Sequence, residues 1–322
     1  MMSLLRILLL VAAVVGGFAW VVRQPVLLGN GFASPRVDPG KLEAHVRFLS
    51  EDCSPRHFLA RENQLKAANY ISDHLRASGA RVEWQEFSTR SGKYANVVGH
   101  FGETNPRRIV IGAHYDVCGT QPGADDNASG VAGLLELAAL LGRAPSLDTH
   151  VELVAYNLEE PPFFAGEHMG SAIHARNLRK RDVQIALMVS LEMIGYFSDE
   201  QGSQEYPNRL LGLIYPSRGD FIALVGRWDQ RSRLQAFKKA AVGAAEIPVV
   251  SIAAPSFLPA VDFSDHRNYW SEGYPALMVT DTAFLRNRNY HQPTDTAATL
   301  DYQRMAEVVR LVYAGVLCLR EP

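Results

Sequence analysis

Cysteine is scarce in this 322-residue chain: Cys53, Cys118 and Cys318 are its only three. That excludes a disulfide scaffold, and the absence of any C-x-x-C excludes a thiolate zinc site. A single Cys53–Cys118 bridge and three unpaired, mostly buried thiols both remain open. Charge of one sign is lacking too. Lys and Arg number 32 against 34 Asp and Glu, with a formal charge of −2 and no block of like charge. A nucleic-acid partner would leave a basic stripe, and none is there. No repeat, low-complexity tract or long linker divides the body. What is present, 47% apolar and 20% charged residues, is ordinary for a globular protein.

Residues 1–25, MMSLLRILLLVAAVVGGFAWVVRQP, stand apart from that body. Arg6 leads an uncharged apolar run from Ile7 to Val22, which Arg23 and Pro25 close. The run lies between a signal-peptide core and a full membrane span of roughly 20 residues. Gly17 and Ala19 offer a weak small-residue cleavage site. A removed signal peptide and an N-terminal membrane anchor are both compatible with it. Either one sends the body, residues 41–322, out of the cytoplasm, to a periplasmic, extracellular or membrane-anchored location.

From Lys41 onward the pattern alternates. Helices are expected around Leu42–Leu49, over Glu62–Ala77, Ser129–Leu141, Glu167–Asn177, Ser232–Ala245 and Tyr302–Leu319. Strands are expected at Arg81–Phe87, Asn96–Phe101, Arg108–Ala113, Val151–Tyr156, Ile185–Leu191, Leu211–Ile214, Phe221–Val225, Val249–Ala253 and Ala276–Val279. Apolar strands alternating with helices point to one α/β domain of about 280 residues, its sheet mostly parallel and covered by helices on both faces. Ligands in such sheets gather at the loops leaving the carboxyl ends of the strands.

The chemistry-bearing residues fall in those places. IVIGAHYDVCG ends a strand in His114 and Asp116, two apart, so Asp116 can hold the second ring nitrogen of His114. GADDNASGVAG sets Asp125 and Asp126 before a helix of small residues, where a carboxylate either caps the helix or bridges two cations. Gly130 and Gly133 would let that helix lie close to the sheet, and Asn127-Ala128-Ser129 matches a glycosylation acceptor of a kind common by chance. In NLEEPPFF, Glu159 and Glu160 diverge, so one can bind metal while the other faces water as a base. Glu192 is a lone charge in the apolar run ALMVSLEMIGY and needs a cation, a proton or an arginine. His291 follows Tyr290 in NYHQPTDT, ahead of Asp295, and SDH (Asp265, His266) lies upstream. His57, His74, His150 and His174 lie in no comparable context and are read as surface or helix residues. Nitrogen and oxygen donors without thiolate suit Zn²⁺, with Mn²⁺ or Co²⁺ as alternatives.

The ordered set HYD, GADDNASG, NLEE, MGS, LEMIG, SDH and YHQPTDT, over about residues 94–300, resembles the co-catalytic zinc aminopeptidase family. That family takes in leucyl-type aminopeptidases, glutamate carboxypeptidases and glutaminyl cyclases. The resemblance implies a phosphorylase/hydrolase-like fold with a central mixed sheet, two zinc ions and a peptide substrate. His114 and Glu192 would hold one zinc, Glu160 and His291 the other, and Asp126 both. Glu159 would be the general base for a metal-activated water, Asp116 would orient His114, and Tyr290 would stabilise the tetrahedral intermediate. Many members carry Asp where this chain has Glu192. A one-zinc glutaminyl cyclase is the nearest rival, opposed by NASG and by Tyr290 in place of tryptophan. A catalytically dead receptor domain is opposed by a competent residue at every ligand position. Carboxypeptidase or dipeptidase specificity depends on pocket residues, which the segment from about Asp199 to Asp262 is expected to supply in part.

Overall fold

The computed structural model describes residues 34–319, apart from 103–106, 145, 146 and 148, and a few nearer the N-terminus: 6, 16, 17, 19–26 and 29. Most of the 1–25 segment, read above as a signal peptide or anchor, lies outside the described residues. Among the described residues no helix is long and apolar enough to cross a membrane. The end of that segment is tied to the body. The ammonium of Lys238 donates to the carbonyls of Arg23 (3.0 Å) and Gln24 (3.2 Å), and the Ser251 hydroxyl donates to that of Arg23 (2.7 Å).

Eight strands form one mixed sheet in the order β1-β2-β4-β3-β5-β8-β6-β7. They are β1 (Arg81–Thr89), β2 (Gly92–Phe101), β3 (Arg107–His114), β4 (His150–Tyr156), β5 (Gln184–Glu192), β6 (Ile222–Arg227), β7 (Val249–Ala254) and β8 (Ala276–Thr280). β4, β3, β5 and β8 run parallel, while β1, β2 and the β6–β7 pair are joined on antiparallel. β3, β4 and β5 read as near-continuous apolar runs because both of their faces are covered. Helices α1 (Pro39–Arg47), α2 (Arg61–Ala77), α3 (Gly130–Gly142), α5 (Arg231–Ala241) and α7 (Tyr302–Cys318) pack into the larger core on one face. Helices α4 (Gly170–Lys180) and α6 (His266–Ser271) close the smaller core on the other. Asp38 and Asp301 cap α1 and α7, accepting from the amides of Gly40 and Arg304.

Register decides where the loops emerge. His114 at the end of β3 lies opposite Tyr156 at the end of β4, and Gly112 lies opposite Ser190 of β5. The segments after these strands therefore leave one edge together, bringing Asp116, Glu159, Glu160 and Glu192 to one place. α3 approaches that edge closely. A Cβ on Gly130 would stand 2.3 Å from the Asn127 amide oxygen and 2.7 Å from the Leu191 carbonyl, so only glycine fits.

Several sequence expectations need correction. Leu211–Ile214 is not a strand: Arg209–Leu213 is a single helical turn, started by the Asn208 side chain accepting from the Leu210 amide. β7 already closes that side of the sheet, so these leucines find no strand partner. α5 stops at Ala241, two residues before Gly243 takes φ 86°. The Glu167–Asn177 helix begins at Gly170, and α6 was not anticipated. None of the three cysteines forms a disulfide. Asn127 is fully buried, which removes it as a glycosylation acceptor.

The histidines also hold a surprise. His174 is in a helix, α4, as expected, while His150 starts β4; both are buried, and they gather with His100 around the buried carboxylate of Glu152, which is paired with Arg108. Burial holds His174 down at about 4, against the 6.5 of a free histidine, although Glu152 pulls the other way. The unfolded chain then takes up the proton first, so His174 costs nothing above about pH 6.5 and destabilises the fold as pH falls toward 4. Between pH 7 and pH 5 this single group is expected to remove about 2 kcal/mol. Urea unfolding at the two pH values should show a smaller acid loss in His174→Gln than in the parent. An equal loss in both would assign the acid sensitivity elsewhere.

Candidate metal centre

The five residues named as metal ligands converge. His114 Nε2 stands 3.4 Å from Asp126 Oδ1 and 3.4 Å from Glu192 Oε2. His291 Nε2 stands 3.1 Å from Asp126 Oδ2 and 3.3 Å from Glu160 Oε2. The result is two donor triangles that share Asp126, one of its oxygens facing each. A tetrahedral ion with nitrogen and oxygen donors about 2.0–2.1 Å away keeps those donors about 3.3 Å apart, which is the spacing found. Three of the six donor positions also lack a hydrogen bond: His114 Nε2, His291 Nε2 and Asp126 Oδ2 are buried without one, as is the second Glu160 oxygen, Oε1. Such atoms are costly unless a cation completes them. The residues present therefore fit zinc.

The electrostatics agree. Burial opposes charge on His114, but Glu192 and Glu159 prevail and raise it well above its ordinary range. Burial likewise opposes charge on His291, and Asp126 and Glu160 push it up to about 10. Asp126 is held well below the usual carboxylate range by the two histidines despite its burial. Burial, with Asp126 beside it, pushes Glu160 up to about 8. Glu159 is raised well above its ordinary range by burial, which Glu160 and Glu192 reinforce against His114.

The supporting residues explain how flexible carboxylates are held. Asp116 accepts from the amides of Glu159 (3.0 Å) and Glu160 (3.1 Å), clamping the glutamate pair, while its Oδ1 lies 3.5 Å from His114 Nδ1. That ring nitrogen also faces the Asp116 carbonyl oxygen at 3.2 Å. Asp295 repeats the device on the next loop, accepting from the amides of Asp125 (2.9 Å) and Asp126 (3.1 Å). Asn127 ties that loop to β5: its amide donates to the Leu191 carbonyl, and its oxygen accepts from the Met193 amide. Ser264 donates to Glu192 Oε2 at 2.7 Å. No arginine pairs with Glu192 among the described residues; its ion pair is with His114. Tyr290 stacks on His291 with ring centroids 3.8 Å apart. Asp265 is buried nearby, and His266 turns away to the Val261 carbonyl.

Two residues at the centre escaped the sequence reading. Arg56 is fully buried and donates to the carbonyls of Leu49, Tyr115, Pro122 and Gly123, fastening the loop between His114 and Asp126. Nothing near it in sequence signals that role. Cys118, considered above only for a disulfide, stands with its sulfur within 4.8 Å of ligand atoms of Glu160 and His291. Burial and the surrounding carboxylates push this thiol up to about 11.

Comparison with known proteins follows the same lines. The model of peptidase family M28 matches residues 96–316. The Escherichia coli protein YfbL, described as uncharacterized, is 46% identical over 286 residues, covering 86% of this chain and 87% of its own. A probable leucine aminopeptidase of Arthroderma otae is 25% identical over 251 residues; the match covers 74% of this chain and 60% of that one. In fold, the chain is similar to BSAP, a zinc aminopeptidase from Bacillus subtilis (TM-score 0.69, 16% identity, 88% of this chain and 95% of that). It is also similar to a glutaminyl cyclase of Fimbriiglobus ruber (TM-score 0.67, 20% identity, 89% and 97%). With a family model spanning most of the body and a relative alike along nearly its whole length, the chain belongs to peptidase family M28, as a metallo-exopeptidase that depends on zinc.

Proposed function

We propose that this exopeptidase is an aminopeptidase that works with two zinc ions, one held by His114, Asp126 and Glu192 and the other by Asp126, Glu160 and His291. The observation that carries the reading is the pair of donor triangles sharing Asp126, one oxygen to each. When bound, the ions supply a Lewis acid for the scissile carbonyl and lower the pKa of water. Glu159 is the base in this reading: its carboxylate takes a proton from the attacking water and passes it to the leaving amine. Its amide is clamped by Asp116, which makes Asp116 a positioning residue. Tyr290, stacked on His291, offers its hydroxyl to the oxygen that gains charge.

Chelation is expected to abolish release of amino acids from free-N-terminal peptides, and Zn²⁺ to restore it with two ions per chain by metal analysis. Full activity in metal-free protein would overturn the zinc mechanism. Blocked peptides and N-terminal-Gln peptides belong in the same assay. Cleavage of blocked peptides from the other end would make the chain a carboxypeptidase, and cyclisation of N-terminal Gln with one bound zinc would make it a cyclase.

A further inference from the structure

A cavity of about 480 Å³ opens beside Glu192 and Tyr290, and its floor is the sheet itself. Glu192 on β5 pairs with Thr280 on β8, Thr280 with Ala223 on β6, and Ala223 with Val250 on β7. All four line the cavity. Neighbouring strands lie about 4.8 Å apart, so this row runs about 14 Å from the metal ligand to the far strand. A second lining row, Met278, Val225 and Ile252, lies beside it. The segments 206–215 and 258–263 form the other walls. Among the described residues, Glu192 is the only charged one on the lining. A leucine side chain would fill little more than the first strand interval.

Peptide backbone fits this space poorly. β5, β8 and β6 lie between neighbours and use their amides and carbonyls in the sheet, while on the edge strand β7 the Ser251 carbonyl is taken by Tyr215 and its hydroxyl by Arg23 and Lys238. A backbone laid there would have few partners, whereas an alkyl chain needs none. We propose that the acyl side of the substrate carries an unbranched aliphatic chain of about ten carbons, laid along the Glu192–Val250 row, each C–C bond advancing it by about 1.25 Å. The reaction remains amide hydrolysis: water oxygen bonds to the carbonyl carbon, the C–N bond breaks, and the amine leaves with the proton. The proposal rests on the reading of the metal centre as hydrolytic.

The test uses the zinc-loaded full chain and nitroanilides of leucine, phenylalanine and straight-chain α-amino acids of rising length. The expected result is a kcat/KM that climbs about fourfold per added methylene until the groove is full, near ten carbons. Val250→Trp, at the far end, should move the optimum to shorter chains and cut the long-chain to leucine ratio by about tenfold or more. A maximum at leucine or phenylalanine, or an unchanged ratio in the variant, overturns the groove and leaves the aminopeptidase standing. Calorimetric titration with decanoate separates the two readings. If decanoate binds, Val250→Trp weakens it and no anilide is cleaved, the groove stands and the hydrolytic reading falls. If decanoate does not bind and no anilide is cleaved, both fall.

Discussion

Glu159→Gln is expected to lower kcat by about 10³- to 10⁴-fold while leaving KM within about threefold of the parent. The substitution keeps size and shape and removes only the ability to take up and release a proton. Glu159 Oε2 lies 4.0 Å from His114 Nε2, outside both donor triangles, whereas Glu160 Oε2 lies 3.3 Å from His291 Nε2. The backbone amide that Asp116 clamps is untouched by the change. Zinc content should therefore stay at the parent's level, and this readout separates a base from a ligand. A variant that loses metal would make Glu159 a ligand, and one that stays active would place the base elsewhere. Glu160→Gln should behave oppositely, losing metal as well as turnover.

Glu159 also illustrates how much of the centre could be read in advance. His114 and Glu192, which end apolar strands, and Glu159 and Glu160, just past one, were legible because a charged side chain there needs a reason; Asp126 and His291 stand on loops and were legible only through the motif set they complete. Parallel register then brings those ends together. The clamps were harder to read. Asp116 was expected to orient His114 through its side chain; its carboxylate chiefly binds the two glutamate amides, while its carbonyl oxygen also meets the imidazole. Asp295 lies far along the chain from the loop it holds, and Arg56 meets only backbone carbonyls, which leave no trace in residue type. Backbone conformation was hidden as well. Leu158, Met193 and His291 all take φ near +50° to +60°, beside or at residues of the centre. For side chains that are not glycine this costs about 1–3 kcal/mol and persists only where surroundings impose it. Leu213 misled for the opposite reason. The apolar run Leu211–Ile214 mimics a strand, yet Leu213 is 80% exposed.

Asp126 is the residue on which the two-metal reading turns. Asp126→Ala is expected to leave two incomplete pairs, His114 with Glu192 and His291 with Glu160. Zinc held by protein side chains takes at least three of them, so neither pair should retain an ion at micromolar zinc. Activity should fall by about 10⁴-fold or more, since water activation and carbonyl polarisation are lost together. Glu192→Ala provides the contrast. It leaves Asp126, Glu160 and His291 as a complete triangle, so one zinc per chain should remain. Metal analysis of the two variants beside the parent should then give none, one and two. Thermal unfolding with and without added Zn²⁺ gives a second readout, because an ion that binds only the folded chain raises its stability. That shift should be largest in the parent, smaller in Glu192→Ala and absent in Asp126→Ala. Two ions retained by Asp126→Ala would remove the bridge, and with it the argument from its two divergent oxygens. One ion in the parent would instead bring the centre closer to the cyclase reading, with Glu192 kept for a task other than holding metal.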